Sequence, residues 1–263
     1  SLDAIRREKG ELFGRMDPGG IAVLNGDDPA CGALKGRWTG RTVLFGLDPA
    51  YDVFADAPAP AAGGGTRFTL HAGGAAREVV LATPGRHNVA NALAAAALAW
   101  AVGTDPDAIA AGLARFRPVA GRMQIFTLAG GAHLIDDAYN ANPASVAAAL
   151  QTLADLRGSG AGVAVLGDML ELGEQSANLH AEIGVRLAET GVAQVHLTGA
   201  FARTTADAAV AAGLARERIV FFTSPEEVAA DLKDRLRAGD WILVKGSRRM
   251  RLEAVVQAIR AAL

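Results

Sequence analysis

From about residue 132 onward the sequence alternates strand-like and helical stretches one for one, and this alternation restricts the fold more than any other feature. Strand-like runs fall at 132–136, 162–166, 194–198, 219–222 and 241–245. Helical stretches lie between and after them, at 143–155, 176–189, 201–212, 225–236 and 249–263. Repeated strand, helix, strand units predict a mostly parallel sheet covered on both faces by helices, with right-handed crossovers.

Residues 1–117 read differently. Short strand-like runs at 21–25, 42–45, 52–55, 66–71 and 78–81 are separated by Gly, Pro and Asp clusters, with a loop at 58–65. An alanine-rich helix is expected over 88–102, closed by Gly103, and a second over about 105–115, with Thr104 as N-cap and Pro106 at its first position. The change of pattern places a domain boundary after Arg117 and a hinge at 117–121. The expectation is an α/β chain of two domains, 1–117 and 118–263.

Composition narrows the function classes. The 263 residues are 51% hydrophobic and 21% charged, which excludes disorder. The 26 basic and 28 acidic side chains leave a net charge of −2, a poor match to a nucleic-acid partner. Cys31 is the single cysteine, so neither a disulfide framework nor a thiolate metal cage can form, and a cytoplasmic location is expected. The five histidines have no metal-ligand spacing. The alanine-rich stretch 90–102 falls short of the roughly 20 residues that a membrane span requires.

In open parallel sheets, ligands gather where the strands end. Polar residues follow three of the expected strands: Asp136-Asp137-Ala138-Tyr139-Asn140-Ala141-Asn142-Pro143, then Gly167-Asp168-Met169-Leu170-Glu171-Leu172-Gly173, and finally Lys245-Gly246-Ser247-Arg248-Arg249. Each taken alone is ordinary turn and cap chemistry, but three on one edge indicate a site. The sequence contains neither Gly-x-x-x-x-Gly-Lys-Ser/Thr nor Gly-x-Gly-x-x-Gly. Gly63-Gly64-Gly65 and Gly73-Gly74 sit between strands and read as turns.

These three segments resemble the ATP-dependent Mur ligases, which add amino acids to the peptidoglycan precursor. They match most specifically the branch that joins D-alanyl-D-alanine to UDP-N-acetylmuramoyl-tripeptide. The resemblance also takes in Lys9-Gly10-Glu11, Leu24-Asn25-Gly26-Asp27-Asp28-Pro29 and Gly85-Arg86-His87-Asn88-Val89-Ala90-Asn91. It implies that 1–117 is the C-terminal part of a central ATPase domain and that 118–263 is a Rossmann-like C-terminal domain. It further implies ATP and magnesium as cofactors, and a monomeric intact enzyme. Because the match begins inside the central domain, the chain is expected to be a fragment without the P-loop or the UDP-binding domain. No turnover is expected from it alone.

Residue roles follow from the same resemblance. Lys9 matches a lysine carbamylated by carbon dioxide; the carbamate presents anionic oxygens to magnesium, whereas an unmodified lysine here would be a surface charge. Asn88 and Asn91 match asparagines that bond adenine, against helix capping by Asn88. Arg122 matches an arginine that reaches ATP phosphate from the hinge, against a solvated linker charge. Asp137 matches a ribose-binding acid, with Tyr139 and Asn140 beside it, while Asp136 is expected to cap the turn. Lys245, Ser247 and Arg248 match the loop that receives the D-alanyl-D-alanine carboxylate. Asp168, Glu171 and His180 either orient the dipeptide amine or stabilise their loop. Asn25, Asp27 and Asp28 read as turn residues. The alternatives are another ligase of this superfamily, such as a folylpolyglutamate synthetase, or a non-catalytic nucleotide- or peptide-binding module.

Overall fold

A computed structural model describes residues 2–263, and the chain divides into two compact units, Ser1–Arg117 and Pro118–Leu263.

The first unit contains helix α1 (Leu2–Gly10), strand β1 (Ile21–Asn25), helix α2 (Pro29–Lys35) and strands β2 (Arg41–Gly46), β3 (Val53–Pro60), β4 (Thr66–Ala72) and β5 (Ala75–Leu81). Helices α3 (Arg86–Ala101) and α4 (Pro106–Ala114) complete it. The sheet runs in chain order, parallel across β1, β2 and β3 and antiparallel from β3 to β5. Gly73 and Gly74 both have positive φ, as a two-residue hairpin turn between β4 and β5 requires. α3 carries apolar residues all round, and Val89, Leu93, Ala96 and Ala97 pack with Val53, Phe68 and Leu70 of the sheet.

Two local expectations are corrected here. Residues 58–60 are not loop. A bulge at Ala57, with φ of 46°, absorbs the irregularity, and β3 resumes pairing at Ala59 and Pro60. Asp105, not Thr104, caps α4, because its carboxylate accepts the Asp107 N–H at 2.8 Å.

The second unit begins with β6 (Gln124–Thr127) and β7 (His133–Asp137), followed by α5 (Pro143–Arg157), β8 (Gly162–Leu166), α6 (Ser176–Glu189) and β9 (Gln194–Leu197). It continues with α7 (Ala202–Ala211), β10 (Ile219–Phe221), α8 (Pro225–Lys233), β11 (Trp241–Lys245) and α9 (Glu253–Ala262). The sheet order is β10-β9-β8-β11-β7-β6, parallel except for β6. Strand residues alternate between two cores. Ile135, Ala164, Val195 and Leu243 face α5, α6 and α7; Leu134, Val163, Ile242 and Val244 face α8 and α9. The expected parallel sheet with helices on both faces is therefore present.

Helix starts follow their caps. Asn142 with Ser145 and Ser224 with Glu227 form reciprocal capping boxes, each with proline at the first helical position. The last helix begins at Glu253 instead of Arg249, because Arg251 adopts a left-handed conformation (φ 53°) that separates it from the short turn Arg248–Met250.

Candidate active site

β11 lies between β7 and β8, so the chain segments leaving these three strands converge on one edge of the second unit. Lys245 ends β11, directly in register with Asp137 on β7 and Leu166 on β8. Its ammonium donates to Asp137 Oδ2 at 2.5 Å and to the Asn140 carbonyl at 3.0 Å. Lys245 is 3% exposed and Asp137 9%, so the pair is buried. Burial pushes the Asp137 carboxyl above its ordinary value, and Lys245 and the Met123 N–H, which donates to Oδ1 at 3.2 Å, act in the opposite direction.

Ser247 joins all three segments. Its Oγ accepts the Leu170 N–H at 2.7 Å and donates to the Ala141 carbonyl at 3.5 Å, while its own N–H donates to the Asp168 carbonyl at 3.0 Å. Asp168 is buried, and its carboxylate accepts the N–H groups of Ala200 (2.7 Å) and Phe201 (3.1 Å) where α7 begins. It thus caps that helix from another strand. Gly199 makes this approach possible: its φ is 111°, and a Cβ there would collide with the Asp168 carboxylate.

His180, also buried, accepts the Met169 N–H through Nε2 at 2.9 Å and donates from Nδ1 to the Ser176 carbonyl at 2.7 Å. With one ring nitrogen donating and the other accepting, its hydrogen-bonding capacity is used within the loop. Glu171 differs from these residues, being exposed with φ of 65°, a conformation uncommon outside glycine and asparagine.

Tyr139 is 42% exposed, and two guanidiniums gather on it: Arg122 at 4.2 Å and Arg248 at 5.5 Å from the ring centroid. The backbone enforces the first contact. Tyr139 N–H donates to the Gly121 carbonyl at 3.0 Å, and Gly121 N–H donates to Asp136 Oδ2 at 3.2 Å. Gly121 has φ of 74°, and a Cβ there would stand 3.1 Å from Tyr139. Asp136 also accepts the Ala138 N–H, as the turn cap it was expected to be. Asn140 is exposed, and its Oδ1 accepts the Ala141 N–H.

In the first unit, Asn88 donates both amide hydrogens locally, to Thr83 Oγ1 at 3.0 Å and to the Pro84 carbonyl at 2.7 Å. It does not cap α3, whose N-cap is Gly85. Asn91 is exposed and donates to Asn88 Oδ1 at 3.4 Å, leaving its own carbonyl oxygen and its second N–H for a ligand. Lys9 is exposed in the last turn of α1. Asn25, Asp27 and Asp28 accept the N–H groups of Asp27, Leu47 and Ala30 respectively, as turn residues would.

The structure thus brings Asp137, Tyr139, Asn140, Lys245, Ser247, Arg248, Asp168 and His180 to one edge, with Arg122 stacked beside them. Sequence reasoning missed the partners of these residues. Nothing in the local sequence links Lys245 to Asp137 or Asp168 to α7, since both links join distant segments.

The sheet order, the polar edge and the glycine-dependent turns define an α/β protein of the ligand-at-the-strand-ends class. The family model for the Mur ligase middle domain matches residues 1–99, and that for the Mur ligase glutamate ligase domain matches residues 121–248. The chain belongs to the Mur ligase family. It is 36% identical over 261 residues to the UDP-N-acetylmuramoyl-tripeptide--D-alanyl-D-alanine ligase of Escherichia coli, covering 99% of this chain and 56% of that protein. The Bacillus subtilis ligase of the same name is 30% identical, with 98% and 55% covered. Among solved structures, the MurF ligase of Thermotoga maritima in complex with ADP superposes with a TM-score of 0.85 at 26% identity, covering all of this chain and 58% of that one. A MurF crystal structure from Acinetobacter baumannii gives 0.87 at 28% identity, with 99% and 56% covered. The chain therefore spans a little over half the length of these relatives.

Proposed function

We propose that this chain is the acceptor-side part of an ATP-dependent, ADP-forming ligase that joins D-alanyl-D-alanine to UDP-N-acetylmuramoyl-tripeptide in the cytoplasm. The observation that carries this reading is the placement of Arg122 and Arg248 around the exposed Tyr139, beside Asp137, at the carboxyl edge of the sheet.

In this reading ATP phosphorylates the tripeptide carboxylate, and the dipeptide amine attacks the acyl phosphate, releasing phosphate. Arg122 offsets charge on the transferring phosphate, since a guanidinium fork matches phosphate oxygens. Asp137, held by Lys245 and the Met123 N–H, accepts from the ribose hydroxyls, with Tyr139 and Asn140 beside it. Asn91, with Asn88 fixing it, complements the adenine edge. Arg248 and the exposed Glu171 meet the two charged ends of the dipeptide. Lys245, Ser247, Asp168 and His180 hold the three strand-end segments together, which is a positioning role.

Magnesium requires oxygen ligands that converge. Among the described residues no group of three or more His, Cys, Asp or Glu side chains does so. Lys9 as a carbamate would add one ligand and not a site. Among the described residues no helix is long and apolar enough to cross a membrane.

The test is ADP release with UDP-N-acetylmuramoyl-tripeptide and D-alanyl-D-alanine, run on this chain and on the chain joined to the upstream half of a relative. Turnover only in the joined protein is expected. Failure of a folded joined protein to release ADP would overturn the reading.

A further inference from the structure

Arg122 is exposed, and a long exposed side chain ordinarily samples many rotamers, yet its backbone is pinned at three consecutive peptide groups. The Gly121 N–H donates to Asp136 Oδ2 at 3.2 Å, the Arg122 N–H to the Val119 carbonyl at 3.0 Å, and the Met123 N–H to Asp137 Oδ1 at 3.2 Å. Two adjacent acids at the end of β7 therefore grip the residues on either side of Arg122. Asp136 is buried, and its Oδ1 also accepts the Ala138 N–H at 3.2 Å, so one carboxylate ties the 119–122 turn to the turn that carries Tyr139. Burial raises the Asp136 carboxyl above its ordinary value, and the Ala138 and Gly121 N–H groups oppose that rise.

Both residues that flank Arg122 are left-handed. Gly121 has φ of 74°, which the missing Cβ allows, and Met123 has φ of 53°. A buried non-glycine residue in this region costs free energy and persists only where its surroundings hold it. Here they do. Met123 is 3% exposed, with its side chain in the core that contains Ile135 and Leu150 and its N–H on Asp137. Pairing of β6 with β7 starts only at Gln124, opposite Asp136. An extended Met123 would lengthen that strand; the left-handed one redirects the chain at Arg122, whose guanidinium lies 4.2 Å from the Tyr139 ring centroid.

We infer that Asp136 and Met123 are positioning residues, which fix Arg122 over the Tyr139 ring before nucleotide arrives, so that its guanidinium is preset for a phosphate. This role rests on the assignment of Arg122 to phosphate in the ligase reading, and it takes Asp136 beyond capping its own turn. Presetting matters because a cation already in place needs no reorganisation when charge moves during reaction.

The test pairs Asp136→Asn with Asp240→Asn. Asp240 is 8% exposed, against 7% for Asp136, and its carboxylate likewise accepts two backbone N–H groups, those of Ala161 and Arg237, at 2.8 Å each. It stands at the opposite end of the sheet, just before β11. Asparagine keeps the shape of aspartate and leaves one oxygen to accept. In the 263-residue chain, the ring-current displacement of the Arg122 side-chain protons by Tyr139 reports the stacking. Asp136→Asn should lose most of that displacement and Asp240→Asn should retain it. Gly121→Ala, whose methyl group would stand 3.1 Å from Tyr139, probes the same turn without touching the carboxylate and should lose it too. In the joined protein, Asp136→Asn should lower kcat/KM for ATP about tenfold to a hundredfold while KM for D-alanyl-D-alanine stays within about twofold. Asp240→Asn should change neither by more than about twofold. Unmoved Arg122 protons in both Asp136→Asn and Gly121→Ala, or an equal loss in Asp240→Asn, would overturn the positioning role. So would equal effects of the two asparagine variants on the ATP kinetics, or a matching rise in KM for the dipeptide. If the joined protein releases no ADP, the ligase reading fails, and the Arg122 protons still decide whether Asp136 fixes that side chain.

Discussion

Lys245 and Asp137 stand opposite each other at the ends of two adjacent parallel strands and form a buried ion pair, Nζ to Oδ2 at 2.5 Å. The pair decides how the strand-end edge is built. It holds the β7 end against β11, and through the Asn140 carbonyl it also fixes the turn that carries Tyr139.

Removing one member of such a pair leaves an uncompensated buried charge. Lys245→Met should destabilise the second unit by about 3–5 kcal/mol, whereas Lys245→Met with Asp137→Leu should recover most of that loss. Urea denaturation of both variants checks this. A double variant no more stable than the single one would count against an energetically coupled pair.

Asp168→Ala removes the acceptor for two N–H groups at the start of α7 and should cost about 1–3 kcal/mol. Gly199→Ala should be at least as disruptive, since the new methyl group meets the same carboxylate from the other side. Hydrogen exchange at Ala200 and Phe201 would report the loss locally.

His196 is wholly buried on β9, and neither ring nitrogen has a hydrogen-bond partner. Burial lowers its pKa to about 4 from an ordinary 6.5; Asp231 opposes that shift and Arg235 reinforces it. The unfolded chain therefore binds the proton more readily. The stability from the neutral ring is complete above pH 6.5 and is lost as pH falls towards 4, by about 3 kcal/mol at most. Chemical denaturation between pH 7 and 4, compared with His196→Phe, should show a steeper decline in the unsubstituted protein.

Tyr139→Phe keeps the ring on which Arg122 and Arg248 gather, and Tyr139→Ala removes it. In the joined protein, Tyr139→Ala should raise KM for ATP about tenfold, while Tyr139→Phe stays within about threefold, consistent with roughly 1–2 kcal/mol of cation–π positioning. Thermal stability of both should change little, because the ring is 42% exposed.

Strongly periodic segments were legible in the sequence. β8, α6 and β11 have the expected bounds, because continuous apolar runs or helical periodicity filled them from end to end. β6 was missed: it is four residues long, half-buried, and recognisable only by its pairing with β7. The end of β3 was misread because Pro58 signals a loop, whereas a bulge lets the strand continue. At the candidate site, residue identities were legible and their partners were not. Ser247 reads as a ligand contact, and Asp168 and His180 as either ligand contacts or loop supports; only three-dimensional proximity reveals their bonds to Leu170, Phe201 and Met169.

The order of strands in the second sheet also governs when this edge can exist. β11, the last strand of this sheet in chain order, inserts between its first two parallel strands, and the Lys245 to Asp137 bond closes a loop of 108 residues. Until β11 arrives, β7 and β8 have an unfilled gap between them, and the Asp137 carboxylate has no cation. Assembly of the edge is therefore a late, long-range event, dominated by loop-closure entropy more than by local preference. A nascent chain stalled before residue 241 would carry most of the conspicuous polar motifs while lacking the strand that draws them together.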